Sequence, residues 1–257
     1  MSWLEKYIAF KTILIKEILR FSRIWVQTIL PPAITTALYF IIFGNLIGPR
    51  IGDMNGVSYI DFMVPGLIIM SIITNAYANV VSSFFNAKFQ RHIEEMLVSP
   101  TPHYIIIIGF IAGGVGRGMA VGLTVTLVSM FFGSVHIHSL TVIITMAFMT
   151  SILFSLAGLI NAVFAKNFDD ITIIPTFILT PLTYLGGVFY SIHLLSDFWQ
   201  KLSLANPILH MVNAFRFGFL GISDVSIVYS YITCIFLILL MYLSCLYLMR
   251  IGYGMRT

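Results

Sequence analysis

Apolar positions in this chain come in long unbroken blocks separated by short polar breaks. Five runs contain no Asp, Glu, Lys or Arg: residues 24–48, 62–87, 140–165, 171–192 and 225–249. A sixth run, 103–132, is of similar length and carries one cation, Arg117, near its middle. Each exceeds the ~20 residues that a helix needs to cross a ~30 Å hydrocarbon core. The pattern therefore predicts an all-α polytopic membrane protein with six transmembrane helices. An even number of crossings puts both termini on one side.

The polar breaks orient the chain. On the side of the termini fall Lys6, Lys11, Lys16, Arg20, Arg23, Lys88, Arg91, Lys166, Arg250 and Arg256; on the other fall only Arg50, Lys201 and Arg216. Lys and Arg are retained in cytoplasmic loops, so both termini are expected in the cytoplasm.

Three segments outside the spans have their own periodicity. Over residues 2–23, Trp3, Leu4, Tyr7, Ile8, Phe10, Leu14, Ile15, Ile18 and Phe21 fall on one side of a helix. Glu5, Lys6, Lys16, Glu17, Arg20 and Arg23 fall on the other, and Lys11 and Ile13 break the pattern. Such a basic amphipathic helix is expected to lie on the inner leaflet. Residues 86–98 predict a short cytoplasmic helix with Phe89, Ile93, Met96 and Leu97 as its apolar stripe and Lys88, Arg91, His92, Glu94 and Glu95 around it. Ser99-Pro100-Thr101-Pro102 stops it. Residues 191–221 are too polar to span and too aromatic for an open loop. Asn206-Pro207 halves them, which predicts an external re-entrant pair of helices buried against protein. As a gate, this pair would turn Phe215 and Phe219 inward and leave Asp197 and Asp224 open to solvent.

Composition sharpens the class. Hydrophobic residues make up 59% of the 257 and charged residues 9%, with a mean hydropathy of +0.98. Soluble domains carry about 25% charged residues. A soluble enzyme, a nucleic-acid binder and a disordered tail are excluded, and the partners expected are lipid and protein. The formal charge of +4 reflects the loop bias rather than an anionic partner. Cys234 and Cys245 lie in one run, eleven residues and ~16 Å apart along a helix, so they are read as packing residues.

Little in the chain is catalytic. There is no Gly-Lys dipeptide, so no phosphate-binding loop of the Walker type. Gly113-Gly114-Val115-Gly116-Arg117-Gly118 lacks dinucleotide spacing, and no His, Cys or acidic cluster has metal-ligand spacing. No cofactor is expected on this chain. Polar stripes mark two spans: Ser71, Asn75, Asn79, Ser82 and Asn86 in one, Thr172, Thr176, Thr180 and Thr183 in another. They suit either helix packing or a substrate-lining face. Arg117 is expected to face a wet interior or free carbonyls, because an ion buried at mid-membrane is costly. Asp170 is placed as a helix N-cap, and Pro175 and Pro181 predict a kinked fifth helix.

The whole chain resembles an ABC-2-type permease, the membrane half of a bacterial ATP-binding-cassette exporter. The resemblance rests on Phe62-Met63-Val64-Pro65-Gly66-Leu67, on Phe89-Gln90-Arg91-His92-Ile93-Glu94-Glu95 and on the glycine cluster around Arg117. It continues through Pro181–Tyr190, Asn206-Pro207 and Phe215-Arg216-Phe217-Gly218. It implies an inner-membrane homodimer served by two separately encoded ATPase subunits, which would bind the ATP and Mg. It also implies that residues 86–98 are the coupling helix, with Phe89, Arg91, His92, Ile93, Glu94 and Glu95 facing the ATPase. On this reading Asn75, Asn79, Arg117, Thr176, Thr180 and Thr183 are candidates for the substrate path, and Phe215, Arg216 and Phe219 for a gate. The cargo would be a glycan, a lipid-linked molecule or a drug-like compound. An ion-coupled secondary transporter is the alternative, although every Asp and Glu lies outside the charge-free runs; a non-transporting membrane assembly subunit is another.

Overall fold

Ser2 starts the first helix, α1 (Trp3–Arg23): its hydroxyl accepts from the Glu5 amide while the Glu5 carboxylate accepts from the Ser2 amide, a reciprocal cap. The computed structural model describes residues 1–54 and 56–254, so Arg256 lies outside the described residues. After α1 come α2 (Trp25–Ile51), a two-strand hairpin of Asp53–Met54 against Val57–Ser58, and α3 (Tyr59–Phe89). The chain continues through α4 (His92–Val98), α5 (His103–Ser129) and α6 (Leu140–Phe164). Next are α7 (residues 170–184), α8 (Asp197–Leu204), α9 (Pro207–Leu220) and α10 (Ile227–Ile251).

Five of these helices are long and apolar enough to cross a membrane: α2, α3, α5, α6 and α10. The sixth run, 171–192, is not one continuous α-helix. Its helix is built of Asp170–Ile174, a widened turn at Pro175–Leu179 and Thr180–Tyr184. Fifteen residues reach only ~22 Å. Pro175 and Pro181 each lack an amide donor, and Gly187 takes a positive φ of 70°, so the ladder is interrupted and then ended.

Burial ranks the helices. The α3 helix is the axis, walled by α5, α6 and α9, and its Phe62, Ile69, Ile73, Val80 and Phe84 are fully buried. At the crossing with α6, a Cβ on Gly158 would come within 2.6 Å of the Tyr77 carbonyl, so only glycine allows that approach. By contrast, α2 and α10 expose large apolar side chains such as Leu30, Ile34, Phe236 and Leu239. Lipid tails are as apolar as a protein core, so these surfaces suit a bilayer.

The amphipathic helix α1 is turned differently from the expectation. Trp3, Leu4, Tyr7, Ile8 and Ile15 are exposed, as a lipid-facing stripe would be. The residues packed on the bundle are Ile13, Glu17 and Phe21. Ile13 and Glu17 meet Gly109 and Gly113 of α5, where a Cβ would fall 2.6 and 2.5 Å from their side chains. The pattern-breaking Ile13 and an acidic residue from the polar side therefore form the docking seam. Glu17 is fully buried, and the Ser83 hydroxyl donates to it at 2.6 Å while Lys16 and Arg20 pair with it at 3.4 Å.

Lys88 closes the other end of α6. Its Nζ donates to the carbonyls of Val163 at 2.8 Å and Ala165 at 2.6 Å, groups that the end of a helix leaves unpaired. Asp170 does not cap its own helix as expected. Its carboxylate accepts from the amides of Lys166 at 2.7 Å and Asn167 at 3.2 Å, while Asn167 accepts from the Asp170 amide. The acidic group folds the turn instead.

Candidate functional site

The polar residues of α3 are brought to two basic side chains. The Arg117 guanidinium donates to the Asn75 side-chain oxygen at 3.0 Å. One turn along, Arg20 of α1 donates to the Asn79 side-chain oxygen and to its carbonyl, both at 2.8 Å. Asn75, Asn79 and Arg117 therefore share one neighbourhood, with Arg20 as a member that spacing alone did not reveal. Ser71 and Ser82, from the same stripe, donate to the carbonyls of Leu67 and Ala78 on their own helix.

Between α2, α3 and α5 runs a cleft of about 310 Å³. Gln27, Thr36, Ser71, Thr74 and Asn75 line it, and Arg117 forms part of its wall. Arg117 thus meets a neutral polar side chain at the wall of a cleft, and its recorded partner is not a backbone carbonyl. Its Nε is buried and has no hydrogen-bond partner among the described residues.

The threonines of the fifth run are not part of that cleft. Thr176 and Thr180 are exposed on the surface of α7, and Thr183 is buried with its hydroxyl on the Leu179 carbonyl at 2.7 Å.

The segment read as one helix over 86–98 is two. After Phe89 the chain turns through Gln90 and Arg91, whose φ of 64° is left-handed, and α4 begins at His92. The break alters the apolar stripe. Ile93 is fully buried and anchors α4 on its own bundle, so it is not available to a partner. Phe89 is more than half exposed and sits against Phe85 and Phe168, with ring centroids at 6.2 and 5.2 Å. Arg91, His92 and Glu95 are exposed beside it, and Glu94 is half-buried. Phe168 is a surface aromatic from the turn Lys166–Asp170 before α7, a turn that by sequence suits either helix capping or a second partner contact.

At the opposite end, α9 is set into the bundle between α6, α10 and α3, whereas α8 lies outside with Phe198 and Trp199 exposed. Asn206 fixes the junction, accepting from the Ile208 amide at 3.0 Å and donating to the Leu182 carbonyl at 2.6 Å. Phe215 and Phe219 are buried, as expected. They border an apolar cavity with Ile68, Ile72 and Ile143 rather than an open passage. Arg216 is also interior: it donates to the Gly187 carbonyl at 2.5 Å and lies 3.8 Å above the Phe62 ring. The three are packing residues of one subunit here. The Asp224 side chain is only 5% exposed and accepts from the Ser191 hydroxyl, contrary to the expected open position, while Asp197 is exposed.

Comparison with known proteins fits this arrangement. Residues 8–220 match the family described as ABC-2 type transporter. The inner membrane transport permease YadH of Escherichia coli (strain K12) is 59% identical over 251 residues, covering 98% of each chain. YadH of Shigella flexneri is similar to the same extent. Nodulation protein J of Rhizobium leguminosarum bv. viciae is a distant relative, 24% identical over 220 residues, or 85% of this chain and 81% of that one. The chain belongs to the ABC-2 type transporter family of membrane permeases.

Proposed function

We propose that this chain is the membrane-spanning subunit of an ATP-driven exporter in the bacterial inner membrane, with both termini in the cytoplasm. Two copies would assemble with two separately encoded ATPase subunits, which bind ATP and Mg and supply the power. The α3–α4 corner would receive their motion. What carries this reading is the exposed aromatic pair Phe89 and Phe168, set among Arg91, His92, Glu94 and Glu95 at the end of the most buried helix. Buried aromatic anchors dominate interface energies, and rim charges contribute less. A push on α4 passes directly to α3, because Ile93 locks the short helix to the bundle. The cargo, a glycan, a lipid-linked molecule or a drug-like compound, would move along the polar face of α3 past Asn75 and Arg117.

The test is co-purification of the ATPase with the permease. Phe89→Ser combined with Phe168→Ser is expected to release most of the ATPase, and Glu94→Gln to retain it. Wild-type retention by the double variant would place the coupling contact elsewhere.

A further inference from the structure

We propose that the cleft between α2, α3 and α5 is a binding site for the phosphate headgroup of an anionic amphiphile. This rests on the exporter reading and deepens it, since the same cleft lies on the proposed path. The reasoning starts from charge. Arg117 has no carboxylate within 4.0 Å among the described residues, and its one recorded partner is the neutral Asn75 side chain. The Nε remains buried and unpartnered. Arg20 lies on the next turn of α3 through Asn79, but it is paired with Glu17 at 3.4 Å, a carboxylate it shares with Lys16. The neighbourhood thus has one guanidinium paired with a carboxylate and one with no such pair among the described residues. An unmatched charge at membrane depth is costly, and such residues mark ligand pathways. Low-dielectric walls focus the field of a lone cation and raise the local concentration of anions. A guanidinium with free donors suits phosphate in particular, since its planar fork matches two oxygens.

The walls indicate an amphiphile rather than a free ion. Along α2 the lining passes from Gln27 and Thr28 to Tyr39, a distance of ~18 Å at ~1.5 Å per residue. The lining alternates polar side chains, Gln27, Thr28, Thr35, Thr36 and Tyr39, with apolar ones such as Pro31, Pro32 and Leu67. The opposite face of α2 is apolar and exposed at Leu30, Ile34 and Leu38, so acyl chains could lie against the helix while the headgroup enters beside it.

The experiment is native mass spectrometry of the permease–ATPase complex in detergent with equimolar dioleoylphosphatidylglycerol and dioleoylphosphatidylcholine. The wild-type complex is expected to retain the anionic lipid at least about fivefold over the zwitterionic one, whose choline cation offsets its phosphate; that is the size of one basic side chain's attraction to a net negative lipid. Arg117→Gln should abolish the preference and Arg117→Lys keep part of it. Asn75→Asp, which supplies a counter-charge while leaving the arginine, should abolish it as well. Inorganic phosphate at millimolar concentration should not displace the lipid; full displacement would assign the site to free anions and overturn the amphiphile reading. An equal response to both lipids, or a preference unchanged in Arg117→Gln and Asn75→Asp, would remove the site altogether. ATPase retention in the same spectra reports the exporter reading separately, so loss of lipid preference with the complex intact counts only against the site.

Discussion

Lys88 and Asp170 both hold backbone groups of neighbouring segments, where by sequence Lys88 belongs to the charged face of a short helix and Asp170 is a helix N-cap. The Lys88 ammonium gathers carbonyls that the end of α6 cannot pair internally. Replacing Lys88 by Met would leave those buried acceptors unsatisfied, at about 1–3 kcal/mol. We expect a lower thermal midpoint in detergent, partly recovered in Lys88→Arg; an unchanged midpoint would mean that water replaces the ammonium. Asp170 makes a pH prediction. The Lys166 amide above all, then the Asn167 amide and side chain and the nearby Lys166 charge, hold its carboxyl below the usual carboxylate range. A depressed folded value stabilises the ionised turn above the unfolded value, ~3.9 for Asp, and that contribution is lost as pH falls through the folded value. Amide exchange at Lys166 and Asn167, corrected for intrinsic rates, should show protection down to about pH 4 and loss below it. Asp170→Asn should lack the transition. A local backbone role for Asp170 was legible in outline but the partners of both residues were not, because sequence shows where a side chain begins and not which backbone groups it reaches.

At the level of elements, charge-free length was an adequate signal for α2, α3, α5, α6 and α10, and for α7 it overstated the length of the helix. The run 171–192 holds no charge, yet Pro175, Pro181, Gly186 and Gly187 deny it a continuous ladder. Helix breakers, not hydropathy, decided its length. The same holds for residues 86–98, where periodicity ran smoothly through Arg91 while the backbone turned there into the left-handed region. For α1 most of the apolar stripe is exposed, and docking uses Ile13 and Glu17 from outside the stripe together with Phe21 from within it. Gly109 and Gly113 leave the room that Ile13 and Glu17 fill. Gly113→Val should therefore lift α1 from α5, break the Glu17–Ser83 and Arg20–Asn79 bonds, and expose the helix. Tryptic cleavage after Arg20 should quicken severalfold relative to wild type, with cleavage at Lys201 as the internal control. Equal rates at Arg20 would mean that α1 is held chiefly by its lipid-facing side.

The whole molecule has a deeply buried axis, α3, and two flanks of different character. On α10 the exposed residues are almost all apolar: Val228, Ile232, Phe236, Leu239 and Leu243. On α7 the exposed surface alternates Phe177 and Ile178 with Thr172, Thr176 and Thr180. A lipid-facing helix gains nothing from hydroxyls, and one of ~22 Å is too short for a ~30 Å hydrocarbon core. A short segment adjusts to that mismatch by thinning the bilayer or by associating with another protein surface. Threonine also allows close helix contact and hydrogen bonds across an interface. In the proposed homodimer these features favour α7 as the face on which the two copies would meet, and they would leave α10 to lipid. Both native cysteines are buried, so introduced thiols can be read against a low background. Phe177→Cys or Thr180→Cys should give a covalent dimer in native membranes under mild oxidation, whereas Leu239→Cys should stay monomeric on the same gel. Cross-linking through Leu239 with none through α7 would put the copies back to back along α10.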